Sequence, residues 1–301
     1  MRRLARLLFL CMLIAVLGLL GLGCDPAWAC ASCGCGDPTL TAVGFEQPFR
    51  HRVRLGLESR AGVHEVPQEQ ERTFISRTTL TASYSPTRWL TAAAQLPFSA
   101  AWTQTPSRET RSVYGIGDLD VLLRALPIRD RGFAPRHLAG VVVGLKLPTG
   151  PRRVDSTGYP AAEDVQPGSG SWDGLLGVSY SYFGAAVAGF VSASYRLNSR
   201  GYREVQRGDS LGATLLMQVQ VVRRLALQGG VELAHTQATR LASDAIAPNR
   251  GGFLASLSYG VLVSLGRDFL LRLAAQMPVI QLWRGSQWES TTVIAALAVD
   301  L

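Results

Sequence analysis

The sequence predicts an all-β protein, an antiparallel transmembrane β-barrel of twelve strands with short periplasmic turns and long external loops. Three observations predict this class. Side chains of the candidate strands alternate between an apolar and a polar face, the connections alternate between long and short, and aromatic residues concentrate near strand ends. Because successive strand side chains point to opposite faces, one face suits lipid and the other suits a lumen.

The alternation is clearest in the strand that begins near residue 112 and in the first and last strands. In the former, the apolar face carries Leu119, Val121, Leu123 and Ala125, and the opposite face carries Asp118, Asp120 and Arg124. In the first strand, the apolar face carries Phe49, His51, Val53, Leu55 and Leu57, and the charged face carries Arg50, Arg52, Arg54 and Glu58. The last strand places Val293, Ala295, Leu297, Val299 and Leu301 on one face. His51 is the exception on a lipid face and is expected near a membrane interface.

The same pattern along the chain gives twelve candidate strands of a length that suits tilted membrane-spanning strands. They lie near 49–60, 72–84, 89–102, 112–125, 138–147, 172–183, 185–196, 210–222, 225–238, 251–264, 269–276 and 290–301. Polar stretches of roughly eight to twenty-five residues follow the odd-numbered strands, and tight turns follow the even-numbered ones except at 126–137. This parity places both termini on the periplasmic side.

Aromatic residues lie near the ends of the candidate strands, where amphipathic rings favour a membrane interface. They are Tyr84, Trp89, Phe98, Trp102, Trp172, Tyr180, Tyr182, Phe183, Tyr195, Phe253 and Phe269. A soluble β-sandwich would place such rings in the middle of its strands. After the N-terminus, no apolar run approaches the roughly 18 residues that a spanning helix requires. The sequence therefore predicts a location in the cell outer membrane.

The N-terminus has the organisation of a secretory signal. Two arginines precede a Leu-rich apolar run, which an Ala-Trp-Ala cleavage signature follows at residues 27–29. We therefore divide the chain into a signal peptide at 1–29, a periplasmic cysteine-containing segment at 30–48 and a barrel at 49–301. A retained anchor, or a lipoprotein modified at Cys24, is an alternative to cleavage after Ala29.

The mature chain then begins with Cys30, Cys33 and Cys35. Three cysteines in an oxidising compartment cannot all pair within one chain. One disulfide with a free or modified thiol is favoured over a soft-metal site, although thiolates at this spacing can converge on one ion. Haem attachment is disfavoured because Gly34 follows Cys33 where a c-type site requires histidine. The sequence indicates no cofactor.

The formal net charge of +8 comes largely from arginines that are dispersed over strands and loops rather than clustered. This distribution disfavours nucleic acid as a partner. Outer-membrane lipid, the phosphates of lipopolysaccharide and a small-molecule solute are the partners that it favours, and the cysteine segment allows a periplasmic partner.

Charged residues on the inward faces are the candidates for lining the lumen. They are Arg50, Arg52, Arg54, Arg77, Asp118, Asp120, Arg124, Lys146, Asp173, Glu232 and Arg272, with Glu58 and Asp300. Such residues either close the barrel as an ion-pair network or line a path for a solute. We expect Asp118 and Asp120 to pair with Arg124 or Lys146, and Lys146 to pair with Asp173 across strands five and six.

Catalysis has little support in the sequence. A barrel phospholipase needs a serine, a histidine and an orienting group on its outer face. The four histidines, His51, His64, His137 and His235, have no serine partner within a recognisable motif. We therefore predict that the chain is not an enzyme.

Three motifs occur in order along the chain: Gly115-Ile-Gly117-Asp118-Leu-Asp120, then Gly144-Leu-Lys146-Leu-Pro148-Thr149-Gly150, then Pro167-Gly-Ser-Gly170-Ser-Trp-Asp173. They resemble the outer-membrane family named for the meta-pathway of phenol degradation. The resemblance implies a transporter or channel, of a kind found beside catabolic genes for aromatic compounds. We therefore expect a channel that passes a small solute, and the resemblance implies that this solute is aromatic or hydrophobic. The alternative is a structural or assembly barrel whose cysteine-rich segment docks a partner or metal.

Overall fold

The computed structural model describes residues 51–67, 70–107, 109–131, 135–222, 224–247, 251–265, 269–285 and 287–301. These residues form one closed antiparallel sheet. Its strands are β1 (Arg52–Val66), β2 (Glu71–Ser85), β3 (Leu90–Gln104), β4 (Thr110–Ile116), β5 (Leu119–Arg129), β6 (His137–Leu147), β7 (Asp173–Phe183), β8 (Val187–Asn198), β9 (Ser210–Val222), β10 (Leu225–Thr236), β11 (Gly252–Ser264), β12 (Phe269–Trp283), β13 (Trp288–Glu289) and β14 (Thr292–Asp300). In the same part of the chain, no helix is long and apolar enough to cross a membrane.

Pairing of β1 with β14 closes the barrel, with Arg54 opposite Asp300 and Ala61 opposite Val293. Within the described ranges the wall has twelve strands, because β4 and β5 are two parts of one strand and β13 and β14 are two parts of another. The predicted twelve-stranded antiparallel barrel is therefore confirmed.

The break between β4 and β5 has a local cause in the sequence. Both parts pair with β3, but the register shifts by one residue between the Gln95–Asp120 and Phe98–Ile116 pairs. Pro97 has no N–H to donate to a ladder, and its carbonyl accepts the Gly117 N–H at 2.7 Å. The extra residue makes a bulge, a feature that bends a strand and redirects its side chains.

The exterior of the barrel is apolar, as a bilayer requires. Large side chains that are exposed on the outer wall include Leu57, Leu80, Val121, Leu123, Val143, Leu176, Val191, Leu215, Leu273 and Val293. Exposed aromatic residues at the end that carries the N-terminus of β1 include Tyr84, Trp89, Tyr180, Tyr182 and Phe269, and those toward the other end include Trp102, Tyr114 and Trp172. This exterior is that of an outer-membrane barrel.

Three external connections are shorter than predicted. The residues that join β1 to β2, β3 to β4 and β12 to β13 number only four or five, at 67–70, 105–109 and 284–287. The strand predicted to end at 276 continues to Trp283, and β1 and β2 remain paired up to the Val66–Glu71 pair. Residues 61–66 and 277–283, which the sequence assigned to loops, thus extend the strand ladders. The long connections are 148–172, 199–209 and 237–251.

The interior is mostly polar rather than a packed apolar core. Buried serines and threonines face inward from many strands, and an apolar cluster of Ala93, Leu122, Val142 and Leu175 occupies part of the wall between β3 and β7. The three long loops cover the external end and hydrogen-bond to one another, for example between Gln206 and Arg240 and from the Tyr202 N–H to the Ser169 carbonyl. The barrel therefore encloses a capped polar lumen.

Candidate functional site

The lumen contains a cavity of about 250 Å³ and a smaller one of about 70 Å³. Side chains from many of the wall strands and residues 164–167 of the loop 148–172 line the larger cavity. The two cavities share one group of lining residues, Arg77, Asp120, Pro167, Arg196 and Arg207. We call Arg77, Arg196 and Arg207 the arginine cluster.

Strand alternation directs two of these arginines inward. Arg77 lies in the middle of β2, opposite Arg60 of β1, and Arg196 lies near the end of β8, opposite Ser210 of β9. Arg207 belongs to the loop 199–209 and donates from Nη2 to the Glu163 carbonyl at 2.7 Å. Three separate segments of the chain therefore bring the cluster together.

One carboxylate lies among these three cations. The Arg196 guanidinium donates to Asp120 Oδ1 at 2.9 Å. Arg77 lines both cavities together with Asp120, Arg196 and Arg207, and it lies opposite Arg60 in the ladder. Arg60 has its own partner, since its Nε lies 2.7 Å from Glu58 Oε1. The cluster with Asp120 therefore carries excess positive charge at the boundary between the cavities.

Asp118 anchors the long loop 148–172 inside the barrel. Its Oδ1 accepts the Gly150 N–H at 2.9 Å, and its Oδ2 accepts the Ser169 N–H at 2.7 Å and the Ser169 hydroxyl at 2.8 Å. Asp118 is 4% exposed. The bulge after Gly117 brings this carboxylate to the loop, whose Pro167 carbonyl packs directly on Gly117. We call this set of three hydrogen bonds the loop clamp.

Lys146 supports the clamp from the neighbouring strand. It pairs with Asp173 and donates to the Ser169 hydroxyl at 2.5 Å, and its Nζ lies 3.7 Å from Asp118 Oδ2. The predicted Lys146–Asp173 cross-strand pair is confirmed. Lys146 is also the predicted partner of Asp118. Asp120 pairs with Arg196 of β8 instead of with Arg124 or Lys146, although Lys146 is its neighbour in the ladder.

The same loop also completes the wall. β6 ends at Leu147, and within the described residues β3 is the one strand that pairs with β4. The loop covers the other edge of β4 through mutual hydrogen bonds between Ser112 and Ser156. Gln166 holds the loop in shape by bonding to the backbone of Arg153 and Ala161. Displacement of the loop would therefore open both the lumen and the wall beside β4.

Charged residues close the periplasmic end of the barrel. Arg54 forms a bidentate pair with Asp300 at 2.6 and 2.7 Å, and Arg52 joins the same carboxylate at 3.1 Å. These contacts tie the first strand to the last, so they stabilise the seam rather than leave charges open to a solute.

Further predicted residues fill the lower lumen. Arg272 donates from Nε to Gln228 at 2.9 Å and approaches Glu58 at 3.9 Å, and Gln276 donates to Glu232 at 3.1 Å. Arg124 is buried within the wall. Of the residues predicted to line the lumen, those that the structure describes therefore line the cavities, belong to the loop clamp or form structural pairs. Arg50, Cys30, Cys33 and Cys35 lie outside the described residues.

Sequence reasoning missed Arg60, Arg196 and Arg207. Arg60 and Arg196 lie at the last positions of predicted strands with inward parity, so the alternation contains the signal for both. Arg207 is in a loop, where no periodic pattern indicates which way a side chain points. His51 lies exposed at the periplasmic end, where its Nδ1 is 3.2 Å from the Tyr84 hydroxyl, as an interface residue should.

No protein-family model matches the sequence, and no curated protein matches it. Among solved structures, the chain is similar to the COG4313 outer membrane channel from Pseudomonas putida F1, with 13% identity, a TM-score of 0.65, and coverage of 93% of this chain and 100% of that one. It is also similar to the β domain of the Bordetella autotransporter BrkA, with 9% identity, a TM-score of 0.52, and coverage of 83% and 99%. These likenesses show the fold, which is that of outer-membrane β-barrels.

Proposed function

We propose that the chain is an outer-membrane channel that passes a small solute through its lumen, with the loop 148–172 acting as the gate. The observation that carries this proposal is the pair of cavities inside a closed, polar-walled barrel. A barrel that serves only as an anchor gains stability by filling its interior with side chains. The proposal assigns no catalytic role to the barrel.

The loop is the element that must move. It contributes residues 164–167 to the wall of the larger cavity and is anchored by a single buried carboxylate. Its remaining anchors are polar contacts with Ser112 of β4, with Lys146 of β6 and with neighbouring loops, including the hydrogen bond from the Tyr202 hydroxyl to the Gly150 carbonyl. Polar contacts of this kind exchange readily with water, so the loop can detach without disturbing the strand ladders.

The resemblance to the phenol meta-pathway family supports an aromatic or hydrophobic solute. The apolar cluster around Leu122 and Leu175 gives such a solute a surface to contact, since both side chains also line the larger cavity. The charged cluster beside it favours a solute that carries a polar group as well.

The experiment is conductance of the purified full chain in planar bilayers, together with swelling of proteoliposomes in small solutes. We expect brief openings and a low but measurable permeability. A barrel that stays closed at all voltages and toward all solutes would contradict the proposal and favour the anchoring role. Correct folding is established beforehand by heat-modifiable migration in gels.

A further inference from the structure

We infer that the arginine cluster is a binding site for the carboxylate of a small organic monoacid whose apolar part lies against Leu122 and Leu175. The inference deepens the proposed function, on which it rests, by naming the chemical class of the solute. Three observations support it: the charge balance of the cluster, its available hydrogen-bond donors, and the size and lining of the adjoining cavity.

The charge balance is unfavourable without an anion. Among the described residues that line both cavities, Arg77, Arg196 and Arg207 are accompanied by one carboxylate, Asp120, whose Oδ1 is already engaged by Arg196. Cations held close together in a partly desolvated interior repel one another, and each loses hydration. A ligand carboxylate placed between Arg77 and Arg207 would offset both effects.

Donors remain available to such a ligand. A guanidinium has five N–H donors in a planar fork that matches a carboxylate. Arg77 and Arg207 both line the two cavities. Arg207 uses Nη2 for the Glu163 carbonyl. Arginine–carboxylate pairs can be bidentate and are among the stronger hydrogen bonds in proteins, so the cluster has the chemistry to orient one carboxylate.

The cavity sets the size of the ligand. A cavity of about 150 Å³ is sufficient for one benzene ring, and the larger cavity here has about 250 Å³. It therefore has room for one ring, or an aliphatic body of similar size, with a carboxylate attached. Leu122 and Leu175 are buried members of the wall cluster and line the same cavity.

Other charges in the cavity restrict the ligand to one negative charge. Glu58, Glu232 and Glu289 also line it without lining the smaller cavity, and Asp164 lines it from the loop segment that contains Pro167. Glu58 is paired with Arg60, and Glu232 accepts a hydrogen bond from Gln276. A second carboxylate on the ligand would approach these acids and be repelled. A monoacid avoids that contact.

The test is calorimetric titration of the full chain in detergent with benzoate, benzamide and acetate. Benzamide has the shape of benzoate without its charge, and acetate has the charge without the ring. We expect benzoate to bind at least about tenfold more tightly than either. The Arg77→Gln variant should lose at least about tenfold in benzoate affinity and keep its benzamide affinity. The benzoate affinity of Arg77→Lys should lie between that of the wild type and that of Arg77→Gln.

Arg207→Gln provides a second variant if Arg77→Gln fails to fold. The matched control is Arg200→Gln, because Arg200 pairs with Asp244 in the exposed outer loops. Equal binding of benzoate and benzamide, or wild-type benzoate affinity in both cluster variants, would overturn the inference. Benzoate binding without measurable flux would instead contradict the proposed channel and leave the site intact. Flux without preferential binding of benzoate would contradict the binding site and leave the proposed channel intact.

Discussion

Replacement of Asp118 by Asn tests the gating role of the loop with almost no change in shape. In the wild type, the two carboxylate oxygens accept three hydrogen bonds from Gly150 and Ser169, and Lys146 lies 3.7 Å away. The variant keeps one acceptor oxygen. Its amide NH₂ must then face an N–H or hydroxyl donor of the loop.

The magnitude follows from these contacts. If the remaining oxygen faces Ser169, the bond from Gly150 is lost and the two others change from charge-assisted to neutral. A hydrogen bond to a charged group contributes about 1.5 to 3 kcal/mol and a neutral one about 1, so the docked loop loses about 2.5 to 7 kcal/mol. Water recovers part of this loss. We therefore expect the ratio of displaced to docked loop to rise at least about tenfold, which corresponds to 1.4 kcal/mol.

The assay is single-channel recording in planar bilayers, with open probability as the readout. Asp118→Asn should raise open probability at least about tenfold. The control is Asp244→Asn, which removes an exposed outer-loop pair with Arg200 and should change nothing. An Asp118→Asn barrel that is folded but opens no more often than the wild type would refute the role of the clamp.

Three further predictions concern the same loop and its support. Lys146→Met should lower the free energy of unfolding by about 3 to 5 kcal/mol, because it leaves Asp173, which is 1% exposed, without its cation. Urea denaturation measures this free energy, and the double variant Lys146→Met with Asp173→Asn should recover part of the lost stability. Gly117→Ala should displace the loop and increase proteolysis there, because its Cβ would lie 2.5 Å from a loop carbonyl, whereas Gly174→Ala has open space and should be neutral. Three hydrogen-bond donors lower the pKa of Asp155 in the outer loop, with the Thr157 hydroxyl making the largest contribution. This support is therefore present above the ordinary pKa of about 3.9 and is lost as pH falls through the lower folded value. The hydrogen-exchange protection factors of the 154–160 turn, which correct for the intrinsic pH dependence of exchange, should be unchanged between pH 7 and pH 5.

The alternation of side chains predicted the barrel together with the alternating lengths of the connections and the aromatic residues near strand ends. A membrane strand must separate lipid-facing from lumen-facing residues at every second position, and the connection lengths distinguish the barrel from a soluble sandwich. The same parity gave the inward direction of Asp118, Asp120 and Lys146, and the pair between Lys146 and Asp173. Neighbouring strands in a meander bring such residues together without any long-range information.

The arginine cluster was beyond that reasoning. Arg196 meets Asp120 across the lumen rather than along a ladder, and the curvature of the closed barrel decides which distant strands face each other. Arg207 enters from a loop whose path depends on its contacts with the loop 148–172. The bulge at Gly117 depends on the position of Pro97 in the adjacent strand, so the pattern of a single strand does not predict it.

The central claim is that a solute crosses this barrel through its lumen. Flux into proteoliposomes that contain the full chain measures this directly, with solutes graded in size below and above the 250 Å³ cavity. The account predicts that the smaller solutes enter faster than into protein-free vesicles, and that Asp118→Asn accelerates their entry further. Entry no faster than into protein-free vesicles, for wild type and variant alike, would contradict it.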